Sequence, residues 1–295
     1  MTADRQAANA ALAAKIRRRE WISAPGVFEM ISARVADATG FDALYMTGYG
    51  AVASYLGIPD AGLATYTDMV GRVGQIVSVT GTPLIADGDT GYGGLLNIEH
   101  TVRGYEAAGA AAIQLEDQEF PKKCGHTPGR RVIPLDDAVA KLKVAAATRE
   151  SKDFLIVART DARGLYGLDE ALRRGAAFAE AGADILFIES PENEEEMRRI
   201  GEAFRGLPLL VNVVEGGSTP VLPTADYQAI GYSFAIYPAA GFLATGAALR
   251  EVYGQIRDTG SSIGTDAPLY DFQEFSRLMG FEHVWEFEKK WAEAV

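Results

Sequence analysis

The chain has 295 residues, 48% of them hydrophobic, and a formal net charge of −12. That length allows one substantial core, close to a barrel of about 250 residues with additions. The acidic balance argues against a nucleic-acid surface, which needs clustered positive charge, but leaves room for a local cationic pocket that receives an anion. A single cysteine excludes an intramolecular disulfide, and there is neither an apolar leader nor a membrane-length apolar run, so a soluble cytoplasmic protein is expected.

Residues 5–19, rich in Ala, Arg and Lys, predict a helix. Eight short apolar runs follow, at 21–24, 42–46, 83–86, 111–115, 154–158, 184–188, 209–213 and 234–237. Helical patterns lie between them, for instance at 98–108, 136–149, 168–181 and 192–204. Continuous apolar strands alternating with amphipathic helices predict parallel strands covered by helices. Eight such units favour an α/β fold of the (β/α)8 TIM-barrel type, one domain over 1–295, rather than an open doubly wound sheet. No Gly-x-Gly-x-x-Gly follows the first run, and the glycine-rich stretch 87–94 lacks the lysine of a phosphate loop. The connection from Asp117 to Pro134 is too polar for core, and its 118–134 part predicts an active-site loop that moves over a barrel mouth. Beyond the last strand, 242–259 and 271–294 predict helices of a C-terminal extension, 242–295. The second carries Phe, Leu, Met and Trp able to cover another subunit.

Several runs end in polar residues. Asp87 and Asp89 stand two positions apart, so a regular strand aims both to one side, and the glycines after them let the backbone curl round a ligand. Two carboxylates in one small volume repel unless protonated or matched by a cation. Their hard oxygens suit Mg²⁺, or Mn²⁺, with waters and substrate oxygens completing an octahedron. The alternative is a solvated acidic turn, against which Glu116 counts, at the next strand end. Glu116 suits ligation through a water and Asp117 suits fixing the loop; either also suits a helix cap. Arg159 fits a bidentate hold on a substrate carboxylate, or structural pairing with one of the many acids. Glu189 and Asn212 end the sixth and seventh runs, and polar residues converging from several strand ends are what a barrel active site requires.

Tyr45, Thr47 and Gly48 close the second run with hydroxyls and a backbone N–H suited to a carboxylate or ketone oxygen, and Asp60 faces the same cleft or caps a turn. Cys124 lies in Lys122-Lys-Cys-Gly-His126, where cations would lower its pKa and ready the thiol for proton transfer. A lone cysteine is more often an inert small hydrophobe, and Cys-x-His is too short a fragment for zinc. His126 suits orienting the loop or donating to substrate, while His100 and His283 read as helix-surface residues. Arg130 and Arg131 suit an anion or salt bridges, and Phe120, Val214, Tyr237 and Phe242 are candidates to shape the pocket.

In order, Tyr45-Met-Thr-Gly48, Gly57-Ile-Pro-Asp60, Asp87-Gly-Asp-Thr-Gly91, Leu115-Glu-Asp-Gln118, Lys122-Lys-Cys-Gly-His126, Ala158-Arg-Thr-Asp161 and Asn212-x-x-Glu-Gly-Gly-x-Thr-Pro220 resemble the isocitrate lyase and phosphoenolpyruvate mutase superfamily. The likeness covers about residues 15–290. It implies an Mg²⁺-dependent barrel whose eighth helix is swapped between subunits, in homotetramers built of two dimers. It implies metal binding by Asp87 and Asp89, with Glu116 acting through water. Substrate contact falls to Tyr45, Thr47, Gly48, Asp60, Arg159 and Asn212, with Lys122, Gly125 and His126 from the loop, and Glu189 holds the reacting oxygen. Thr47 replaces a frequent serine and keeps the hydroxyl.

The cysteine loop resembles that of carbon–carbon lyases, with Cys124 as catalytic acid. The chain looks most like methylisocitrate, dimethylmalate and other alkylmalate lyases. The expected reaction is retro-aldol cleavage of a 2-hydroxy di- or tricarboxylate to a 2-oxo acid and a second carboxylate, with Tyr45 or a metal-bound hydroxide as base. Carboxyphosphonoenolpyruvate mutases share the loop, so a phosphonomutase is one alternative. Isocitrate lyases proper are much longer. Oxaloacetate hydrolases or decarboxylases are another alternative, though they often carry a serine near Pro238. The last alternative, a non-catalytic binding barrel, is opposed by the intact set of Asp87, Asp89, Glu116, Arg159 and Cys124.

Overall fold

The computed structural model describes residues 2–125 and 129–292. Eight parallel strands close into a barrel in sequence order. They are β1 (Ile22–Val27), β2 (Leu44–Met46), β3 (Leu84–Asp87), β4 (Ala112–Glu116), β5 (Leu155–Thr160), β6 (Ile185–Ile188), β7 (Leu209–Asn212) and β8 (Phe234–Tyr237), which pairs back onto β1. Each expected run forms its strand, with ends displaced by up to three residues.

Alternate residues of a strand face opposite sides. Ile22, Ala24, Tyr45, Ile85, Ala112, Leu155, Val157, Ile185, Phe187, Leu210, Phe234 and Ile236 form one buried cluster, the barrel interior. Leu12, Ala13 and Ile16 of the helix Ala3–Arg17 join it and plug the end where the strands begin. The intervening residues, such as Leu44, Met46, Leu84, Ile113, Ile156, Leu186 and Val211, belong to a second cluster shared with the helical layer. Both strand faces are covered, which is why the runs are continuously apolar.

This parity positions the site. One step past the apolar layers, the inner face carries Asp87, Gln114, Glu116, Arg159, Glu189 and Asn212. Register sets Asp87 beside Gln114 and Glu116 beside Arg159.

The helices Leu95–Ala107, Leu135–Thr148, Leu168–Glu180 and Glu194–Ala203 occupy the expected segments. Further helices at Met30–Thr39 and Tyr66–Val79 start in capping boxes, Glu29 with Ser32 and Thr65 with Asp68, which satisfy the orphan N–H groups of the first turn. The extension departs from the single helix expected at 271–294. It forms two, Phe272–Leu278 and Phe281–Ala292, separated where Gly280 takes φ +94°. Neither buries a described residue, and Phe272, Phe281, Trp285, Phe287 and Trp291 are exposed. Among the described residues, no helix is long and apolar enough to cross a membrane.

Candidate active site

A cavity of about 210 Å³ opens where the strands end. Tyr45, Thr47, Asp60, Asp87, Glu116, Lys122, Cys124, Gly125, Arg159, Glu189 and Asn212 all line it. Gly48 stands directly behind, where a Cβ would come within 2.5 Å of Asp87 Oδ2 and 3.6 Å of Asp89 Oδ1. Asp89 is reached through Lys122, and His126 lies outside the described residues.

The acidic corner is built by a turn rather than by one strand face. β3 stops at Asp87, and Asp89 takes φ +47°, a left-handed conformation that Asp tolerates better than most side chains. Asp87 Oδ1 accepts from Asp89 N at 3.0 Å and from Gln114 Nε2 at 3.4 Å. Glu116 N donates to Asp89 O at 3.0 Å and fixes the turn to β4. From the loop, Lys122 Nζ stands 2.6 Å from both Asp60 Oδ1 and Asp89 Oδ1. Burial lowers a lysine's pKa, but Asp89 and the other carboxylates here hold Lys122 well above its ordinary value. Lys122, expected to act on Cys124, is therefore spent on the carboxylates.

Burial, then the nearness of Asp89, pushes Asp87 up to about 6. Burial also raises Glu116 well above the carboxylate range, against the pull of Arg159. Glu116 Oε1 is buried and has no hydrogen-bond partner among the described residues. The mouth also gathers Asp60, Asp89, Asp117, Asp161 and Glu189, so buried carboxylates outnumber the cations Lys122, Arg159 and Arg174 set among them. No three acidic, His or Cys side chains among the described residues converge as ligands of one ion. A small divalent ion that keeps its waters and takes one or two carboxylates fits this donor set. The orphaned Glu116 oxygen suits a water of that ion.

Arg159 rises from β5 with Phe187 beneath it, 5.2 Å from guanidinium carbon to ring centre. Its fork is taken by Asp161, with Nε to Oδ2 and Nη2 to Oδ1 both at 2.9 Å. Weaker contacts reach Glu189 Oε2 at 3.3 Å and Glu116 Oε2 at 3.5 Å. The Nε/Nη2 edge of the guanidinium is thus held by protein, and Arg159 meets the cavity as a fixed positive charge. Burial would raise Asp161, but Arg159 and Arg130 hold it below the ordinary range. Arg130 reaches its Oδ1 from the loop at 2.8 Å.

Asp117 has outward parity and accepts from Thr160 Oγ1, Asp161 N and Arg174 Nη1 at 2.7, 2.9 and 3.0 Å, a framework position. Glu189 is pinned by Ser190 N at 2.8 Å and Asn212 Nδ2 at 3.1 Å.

Gln118 holds the loop as a backbone would, donating to Lys123 O at 2.9 Å and accepting from Lys123 N at 3.0 Å. Cys124 N donates to Asp60 O at 3.2 Å, which sets the half-buried thiol on the cavity wall. At Gly125 a Cβ would come within 2.2 Å of Arg159 Nη2 and 3.0 Å of Glu189 Oε2, so glycine lets the loop rest on that pair.

Val214 and Phe242 line the cavity with Tyr49, Ile236, Pro238 and Leu243, which make an apolar wall. Phe120 is 57% exposed, and Tyr237 faces a separate outer groove with Phe28 and Ile31. Sequence reasoning passed over two residues that hold the site. Gln114 is a polar break in an apolar run, a readable signal; Ser190, at φ +59°, gave none.

A closed parallel barrel whose mouth combines buried carboxylates, a fixed arginine and a cysteine loop defines a barrel enzyme of carboxylate chemistry. The chain belongs to the phosphoenolpyruvate phosphomutase family, whose pattern matches residues 12–257. It is 49% identical to 2,3-dimethylmalate lyase of Eubacterium barkeri over 95% of this chain and 98% of that protein. To 2-methylisocitrate lyase of Aeropyrum pernix it is 40% identical, over 94% and 88% of the two chains. Among solved structures, a 2,3-dimethylmalate lyase of the PEP mutase/isocitrate lyase superfamily superposes with TM-score 0.89 at 34% identity, covering 98% and 96%. Oxaloacetate acetylhydrolase with 3,3-difluorooxalacetate superposes with TM-score 0.88 at 35% identity, covering 96% and 98%.

Proposed function

We propose that the protein is an Mg²⁺-dependent carbon–carbon lyase that cleaves a 2-hydroxy di- or tricarboxylate of the 2,3-dimethylmalate or 2-methylisocitrate type. The observation that carries this reading is the convergence of Asp87, Glu116, Arg159 and Cys124 on one cavity with an apolar wall. Similarity to the two lyases supports it.

Asp87 and Asp89 would hold Mg²⁺, with Glu116 on a bound water; when present, the ion supplies Lewis-acid polarisation of the substrate's hydroxyl and carboxylate oxygens. Arg159 and Asn212 orient the substrate with Thr47 and the Gly48 N–H. As a base takes the hydroxyl proton, the freed oxygen pair forms the 2-oxo carbonyl and the C2–C3 electron pair passes to C3, giving a 2-oxo acid and an aci-carboxylate. Arg159, fixed by Asp161 before substrate arrives, stabilises charge as it grows without reorganising. The Cys124 thiol then delivers its proton to C3, and the loop that carries it excludes water. Burial holds the Tyr45 phenol well above its ordinary pKa, which argues for a hydrogen-bonding role rather than that of the base.

Pro238 on the cavity wall offers no hydroxyl, which supports lyase over hydrolase chemistry. The uncovered aromatic residues of 272–292 support assembly through a second copy, as helix-swapped dimers within a homotetramer. The test is 2-oxo acid release from 2,3-dimethylmalate, 2-methylisocitrate and oxaloacetate, with and without EDTA. EDTA-sensitive pyruvate from one of the first two is expected; turnover of oxaloacetate alone contradicts the reading.

A further inference from the structure

Gln114 interrupts the apolar run of β4 with a side chain on the inner barrel face, fully buried and in register with Asp87. A primary amide carries two donors and an acceptor oxygen, and burying it costs stability wherever they go unpaired. The neighbouring inner residues, Leu155 and Val157 among them, show that an apolar side chain fits this layer. The amide is therefore present for its two partners. Its oxygen accepts from Tyr45 OH at 3.0 Å, and its Nε2 donates to Asp87 Oδ1 at 3.4 Å.

These contacts leave one orientation. An ionised carboxylate only accepts, so the amide NH₂ faces Asp87 and the carbonyl faces Tyr45, whose hydroxyl must then donate. Asp87 Oδ1 is held between Gln114 and Asp89 N, which turns Oδ2 away toward Gly48. The Tyr45 proton is committed to the barrel interior, so the phenol presents oxygen lone pairs to the cavity it lines.

We propose that Gln114 is a positioning residue that aims Asp87 Oδ2 at a divalent cation and makes Tyr45 an acceptor for the substrate's hydroxyl group. The substrate half rests on the lyase reading; the cation half stands without it.

The test is a double-mutant cycle with two readouts, Mn²⁺ affinity by water-proton relaxation and steady-state kinetics, each variant first checked by thermal melting. Gln114→Met keeps the length and removes both hydrogen bonds. Its Mn²⁺ dissociation constant should rise about tenfold and its kcat fall by at least about tenfold, the usual scale for a residue that orients a ligand. Tyr45→Phe should lower kcat while leaving Mn²⁺ binding unchanged. Adding it to Gln114→Met should lower kcat no further, because the two act as a unit. Unchanged Mn²⁺ affinity in Gln114→Met overturns the cation half, and additive losses of kcat overturn the Tyr45 half. If Gln114→Met does not fold, Gln114→Asn, which keeps the amide but cannot reach both partners, replaces it in the same cycle. A wild type that binds Mn²⁺ yet cleaves neither 2,3-dimethylmalate nor 2-methylisocitrate removes the lyase reading and the Tyr45 half, while the Mn²⁺ comparison still decides the cation half.

Discussion

The two ends of this barrel are made by the same strands and the same alternation, yet they differ in what they bury. At the lower end Leu12, Ala13 and Ile16 close on Ile22, Ile85, Ile185 and Phe234, each apolar group gaining from leaving water. At the upper end the inner face continues as Asp87, Glu116, Arg159, Glu189 and Asn212, all at or below 7% exposure. Buried charge is weak evidence of stabilisation, because desolvation offsets most of the Coulombic gain. The lower end makes the fold and the upper end draws on it: a rigid, dry lower layer lets ionised groups stand in fixed geometry where water cannot reorganise around them.

That contrast can be broken most severely at Arg159. Arg159→Met leaves Asp161, Glu189 and Glu116 without their shared cation, so stability should fall by about 3–5 kcal/mol in denaturant titration. Turnover should fall about 10³-fold as the charge facing the developing negative charge disappears. Retained turnover would mean the arginine is framework only.

Cys124→Ala separates loop from frame. Turnover should fall by about 10²-fold or more, with melting temperature and Mn²⁺ affinity unchanged, since the thiol sits on the loop and not in either core. A parallel loss of Mn²⁺ binding would place Cys124 in the wrong role. Ile16→Ala probes the other end. It should cost about 2–5 kcal/mol of stability while kcat stays as it was, and a matching fall in kcat would show that the ends are not separable.

The smallest effect is on pH dependence. Asp87 sits at about 6 in the metal-free protein, above the ordinary 3.8. Its contribution to stability is therefore complete below about 4 and is lost as pH rises through about 6. On the proposed reading Mn²⁺ takes the ionised form, so it should raise the melting temperature above about pH 6 and progressively less below it. Thermal melts with and without Mn²⁺ across that range check the sign.

The barrel was legible because strands covered on both faces read as continuous apolar runs, and Asp87, Glu116, Arg159, Glu189 and Asn212 were legible because each ends one. What escaped was long-range or local geometry. Nothing in the spacing of residues 60, 89 and 122 shows that Lys122 bridges Asp60 and Asp89. The Arg159 fork is filled by a residue two positions away, a pairing that strand alternation does not announce. Gln114 is visible as a letter, but one polar residue inside a strand resembles an accident until its partners are known. Gly280, which splits the last helix, was the kind of glycine that ends helices, yet the aromatic pattern on both sides masked it.

In the proposed reaction a thiol on the loop delivers a proton to carbon in a dry mouth held by buried charge. Cleavage of 2,3-dimethylmalate in D₂O, followed by mass spectrometry of the propionate, tests it most directly. One deuterium on the carbon next to the carboxylate of propionate, with release of labelled product slowed about 10²-fold or more in Cys124→Ala, is the predicted result. Labelled propionate formed at an undiminished rate by Cys124→Ala would contradict the account.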